Sequence, residues 1–144
     1  MTPREPGASP GFLLWHATLR WQRRIAVALR PFDLTHVQFV LLASTWWLNR
    51  EGDQPNQVTI ARHAGTDVKM TSEVLRSLER KGLVERTSDR MDTRAKRVRT
   101  TARGADLAPL AIAEVERADA EFFAPMPERQ VLELLTVLAS PDAA

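Results

Sequence analysis

Lys69, Ser72, Glu73 and Arg76 stand at positions i, i+3, i+4 and i+7, a spacing that puts all four on one face of a helix. Together they offer an ammonium, a hydroxyl, a carboxylate and a guanidinium. A guanidinium can bond guanine O6 and N7 side by side, and a carboxylate accepts only from a donor such as the cytosine amine. That is the chemistry of reading base edges in a major groove, although a solvated amphipathic face carries the same pattern. Further along, Arg90, Asp92, Arg94 and Lys96 crowd into one short stretch. Asp92 and Arg94 fit a plain turn with a surface ion pair worth at most about 1 kcal/mol. The favoured reading is a carboxylate that holds a guanidinium extended for a narrow, negative minor groove.

The elements that must position these residues are legible from spacing and punctuation. Phe12, Trp15, Leu19, Ala26 and Leu29 keep helical register until Pro31, which predicts a first helix. Thr35 with Gln38 reads as a capping box ahead of Phe39, Leu42, Trp46 and Leu48. The polar stretch with Gly52 and Pro55 is a loop. A short pattern of Val58, Ala61 and Ala64 then ends at Gly65, and Thr66 and Asp67 are placed to cap a helix whose inner stripe is Thr71, Val74, Leu75 and Leu78 before Gly82. Two helices across so short a turn form a helix-turn-helix, with the second as the groove-entering one. Residues 83–88 and 95–100 follow as two strands of a hairpin, with the charged residues at its tip. Thr101 caps a long helix that Pro109 should kink, and Pro125 and Pro127 separate it from a last amphipathic helix bearing Val131, Leu134, Leu135 and Leu138.

Composition narrows the functions available. The 144 residues include no Cys, which removes disulfides, thiolate nucleophiles and Cys-based zinc sites. His16, His36 and His63 form no His-x-x-x-His pair, so no metal and no cofactor is expected. No Ser/His/Asp set occupies a strand-turn-helix context, so an enzyme is not expected either. The net charge of +2 conceals a strong asymmetry. Residues 56–104 hold 12 basic and 6 acidic side chains, whereas residues 105–144 hold 2 and 8. A basic block of which nine cations are Arg suits a polyanion partner. The longest uncharged stretch, residues 34–49, is too short and too polar to span a membrane. Residues 1–11 carry Pro3, Pro6 and Pro10 and no apolar run, so a flexible tail without a secretory signal, and a cytoplasmic protein, are expected.

The run VERTSDRMDTRAKRVRTTARG, from Val84 to Gly104, resembles the wing of the MarR (multiple antibiotic resistance regulator) family of winged-helix transcription regulators. The resemblance extends to Leu78-Glu79, Lys81-Gly82-Leu83-Val84 and Arg86, to Asp92-x-Arg94 at the wing tip, to Thr101-x-x-Gly104, and to Leu34-Thr35 with Gln38. Glu73 departs from it, since the family often has a basic or small polar residue there.

The resemblance implies a mainly α fold with a small β-hairpin wing, divided into a tail (1–11), an N-terminal dimerisation helix (12–34), a winged helix-turn-helix (35–100) and C-terminal dimerisation helices (101–144). It implies a homodimer, without catalytic activity, that grips double-stranded DNA at a palindromic operator and acts as a repressor. DNA contacts fall to Lys69, Ser72, Glu73, Arg76, Arg90, Asp92, Arg94 and Lys96. The four tryptophans, Trp15, Trp21, Trp46 and Trp47, lie in the first two helices with Phe12, His16 and Phe39, where core packing is the first reading. The family places a phenolic or otherwise aromatic effector near such helices, which makes Trp15, His16, Phe39 and Trp46 candidates to line its pocket. A winged-helix module that binds only protein is the competing reading; the basic block speaks for DNA.

Overall fold

A computed structural model describes residues 1–88 and 96–141. Among the described residues, six α-helices and a two-stranded antiparallel hairpin follow one another in the order α1 (Pro10–Leu29), α2 (His36–Arg50), α3 (Gln57–Ala64), α4 (Val68–Arg80), β1 (Val84–Ser88), β2 (Lys96–Thr100), α5 (Ala102–Phe123) and α6 (Glu128–Ala139). This is the mainly α fold with a hairpin wing that the spacing predicts. No single helix among the described residues is long and apolar enough to cross a membrane.

Capping sets most of these boundaries. The capping box at α2 is complete: Gln38 N–H donates to Thr35 Oγ1 at 3.2 Å and Thr35 N–H to Gln38 Oε1 at 3.0 Å. Thr101 Oγ1 accepts from Gly104 N–H at 3.0 Å at the start of α5. Helix α1 begins two residues earlier than expected, with Pro10 in its first turn, where its missing N–H costs nothing. The segment expected as a tail contains a 3₁₀ turn at Pro6–Ala8. Helix α5 runs as one element through Pro109.

One core joins the winged unit to the outer helices. Ile25 and Leu29 of α1, Leu41, Leu42 and Leu48 of α2, Ile60 of α3, Leu75 and Leu78 of α4, Val98 of β2 and Ala108, Ala111 and Val115 of α5 are buried together. The apolar face of α1 divides in two. Its C-terminal half enters this core, while Phe12 and Trp15, in helical register with Leu29, are exposed. Helix α6 has no fully buried residue, and Leu132, Leu134, Leu135, Val137 and Leu138 all face outward.

Candidate nucleic-acid interface

The turn between α3 and α4 is fixed by hydrogen bonds that follow directly from residue type. Asn56 caps α3, its Oδ1 accepting from Thr59 N–H at 2.9 Å. Gly65 ends that helix at φ +75°, a left-handed conformation that costs a glycine little. Asp67 then caps α4, its Oδ1 accepting from Met70 N–H at 2.7 Å. The fully buried Thr71 hydroxyl donates to the Asp67 carbonyl at 2.7 Å and lies 2.6 Å from the Thr66 hydroxyl. Expected on the inner stripe of the helix, Thr71 also locks the turn.

Rotation of α4 about its axis is set from behind. Thr71, Leu75 and Leu78 are buried, and Gln38 Nε2 donates to Ser77 Oγ at 3.0 Å while Lys81 Nζ donates to Gln38 Oε1 at 2.9 Å. Lys69, Glu73 and Arg76 are consequently exposed on the opposite face, with Ser72 half-buried between them. Arg76 Nη2 donates to Ser72 Oγ at 3.3 Å, which lays the guanidinium along the helix surface. All four residues predicted to share a face do share it.

The hairpin pairs Val84 with Thr100 through Ser88 with Lys96. Arg86 and Arg97 tie it to neighbouring segments, while Arg99 bridges its two strands. Arg86 Nη2 bonds Glu79 Oε1 at 3.1 Å, and this hydrogen bond holds the Glu79 carboxyl below its ordinary pKa. Arg99 pairs with Glu85, and Arg97 Nη1 donates to the Gln54 carbonyl at 3.1 Å. Asn49, at the end of α2, accepts from Thr100 N–H at 2.9 Å, and Val98 N–H donates to the Pro55 carbonyl at 2.9 Å. Lys96 is exposed where β2 begins. Arg90, Asp92 and Arg94 lie outside the described residues.

Behind the helix-turn-helix, α2, α3 and α5 border an open cavity of about 490 Å³ walled by Phe39, Trp46, Trp47, His63, Pro109 and Ile112. The Arg50 guanidinium sits 4.9 Å from the Trp46 ring centre and 5.7 Å from that of Trp47. Phe39 and Trp46 were expected at such a pocket. Trp15 and His16 do not line it: they belong to the exposed N-terminal half of α1, where His16 packs edge-on against Phe12 with ring centres 4.6 Å apart. Sequence spacing missed His63 and Pro109, which reach the cavity from α3 and α5, elements whose placement beside α2 only the fold supplies, and it missed Trp47, the neighbour of Trp46 on α2 itself.

Residues 31–116 match the family model described as "ArnR1-like, winged-helix domain". The chain is 44% identical over 119 residues to the HTH-type transcriptional regulator YdcH of Bacillus subtilis, covering 83% of this chain and 81% of that protein. An HTH-type transcriptional repressor of Mycobacterium tuberculosis is 31% identical over 128 residues, 89% of each chain. Among solved structures, a mutant MarR of E. coli complexed with operator DNA superposes with a TM-score of 0.77 at 25% identity, covering 89% of each chain. Motif, fold and relatives agree, and the chain belongs to the MarR family of DNA-binding winged-helix transcription regulators.

Proposed function

We propose that the protein is a homodimeric repressor that binds an inverted-repeat operator in the cytoplasm and releases it when a small aromatic effector enters the α2–α3–α5 cavity. The observation that carries the DNA reading is the outward face of α4, held opposite the core by Thr71, Leu75 and the Gln38–Ser77–Lys81 bonds. On that face Arg76 reads a guanine, Glu73 accepts from a cytosine amine, and Lys69 and Ser72 contact the flanking groove or backbone. From the wing, Arg90 and Lys96 bind phosphates and Asp92 steadies Arg94 for the minor groove. The 31% identical repressor of M. tuberculosis supports repression as the mode of action.

The dimer reading rests on apolar surface the single chain leaves open. Leu132, Leu134, Leu135, Val137 and Leu138 of α6 and Phe12, Leu13, Leu14 and Trp15 of α1 are exposed. A cleft of about 750 Å³ between α5 and α6 is lined by Phe123, Met126, Val131, Leu132 and Leu135. Exposed apolar residues in this number mark an interface, and two-fold pairing is the commonest way to cover them. The effector reading rests on the aromatic walls of the α2–α3–α5 cavity, whose volume suits a small ligand.

Size-exclusion chromatography with light scattering tests the dimer: the expected mass is twice 16.2 kDa, and a monomer at micromolar concentration refutes it. A duplex-shift titration with the chain's own promoter region tests the DNA reading. The affinity is expected to fall steeply with salt as Lys and Arg displace condensed counterions. Absence of a shift at low salt would support the protein-only module instead.

A further inference from the structure

Helix α1 carries Arg20, Arg23 and Arg24 and no acidic residue along Pro10–Leu29. The three lie at i, i+3 and i+4, neighbours on one helix face, where like charges destabilise the helix. Among the described residues Arg20 and Arg23 have no ion-pair or hydrogen-bond partner, and Arg24 has only the Phe122 ring, 5.9 Å from its guanidinium carbon. These arginines line a cleft of about 550 Å³ between α1 and α5, floored by Val27, Ala28 and Ala118. From α5, Arg117 also lines it, with its Nη2 fixed by Glu114 Oε2 at 2.8 Å, and Glu121 completes the rim. Four guanidiniums against two carboxylates leave excess positive charge in a concave site. None of its lining residues belongs to the aromatic cavity or to α4.

We propose that this α1–α5 cleft is a second ligand site, which binds a small polyanion bearing phosphate or carboxylate groups. The guanidinium fork matches the planar oxygens of both groups in bidentate fashion. Cancelling the mutual repulsion along α1 adds to the gain. Such a ligand tightens α1 against α5, the two helices through which the outer part of the molecule meets its core.

The test is scanning calorimetry of the full chain at constant ionic strength, with inorganic pyrophosphate and with citrate, against sodium chloride. Two variants accompany wild type: Arg20→Gln/Arg23→Gln, and Lys69→Gln/Arg76→Gln as the control for anions held by the α4 face. A saturable rise in Tm of about 2–4 °C is expected for wild type and for the α4 variant, and no rise for Arg20→Gln/Arg23→Gln. A response to either probe supports the site, and the probe that responds names the group recognised. The site is refuted if neither probe exceeds sodium chloride, or if the rise survives in Arg20→Gln/Arg23→Gln. A loss of dimer mass in Arg20→Gln/Arg23→Gln by light scattering also overturns it, because the arginines would then be meeting carboxylates of a second copy.

Discussion

His36 shows how one side chain at a junction makes stability depend on pH. It stands at the first turn of α2, with its ring edge-on to Trp21 of α1 at 5.0 Å between centres, and Trp21 Nε1 donates to Asp119 Oδ1 of α5 at 2.8 Å. Burial pushes the imidazole below its usual value of 6.5, with the Asp119 carboxylate opposing that shift. The unfolded chain therefore takes up the proton at a higher pH than the folded one. This contribution to stability is complete above pH 6.5 and is lost as pH falls from there through the folded value. The midpoint of urea unfolding is expected to drop on that acid side, and to drop less in His36→Phe, which keeps an aromatic ring against Trp21. Identical pH profiles for the two proteins would remove His36 from the account. The four residues of the α4 face were legible in the sequence because helical spacing alone groups them. The Gln38–Ser77–Lys81 bonds that aim them were not, since they join α2 to α4 across 39 and 43 residues.

At the scale of elements, punctuation was the readable part. Thr35, Gly65, Asp67 and Thr101 each act where local capping chemistry puts them, because a cap depends on residues only two or three away. The burial of α1 was less readable. Apolar periodicity from Phe12 to Leu29 shows that a face seeks cover, yet it does not say whether the chain's own core or another surface provides it. The structure assigns Ile25 and Leu29 to the core and leaves Phe12 and Trp15 outside. Gly104 illustrates a constraint of close approach. A Cβ there would stand 1.9 Å from the Leu83 carbonyl oxygen, so the first turn of α5 can pack on the start of the wing only with glycine at this position. Gly104→Ala is expected to destabilise by about 1–3 kcal/mol, the usual cost of overpacking, read as a lower denaturation midpoint in urea. An unchanged midpoint would show that α5 shifts away without penalty.

For the whole molecule, function follows from the separation of surfaces. The α4 face and the wing lie on one unit, the exposed leucines on α6 and the N-terminal half of α1, and the aromatic cavity between the helix-turn-helix and α5. The proposed two-fold dimer would present two copies of α4, so its site is expected to be an inverted repeat with half-site centres about 10 bp apart, or a multiple of that. A phosphate-binding residue contributes alike to every sequence, whereas a base-reading residue alters preference at one position in each half-site. Whether the outward face of α4 reads bases is decided by selection of bound duplexes from a random pool with wild type and Arg76→Ala. Wild type is expected to recover an inverted repeat, and Arg76→Ala the same repeat with relaxed choice at one position per half-site. Recovery of one identical motif by both proteins, or of no motif by wild type, would contradict base reading by α4.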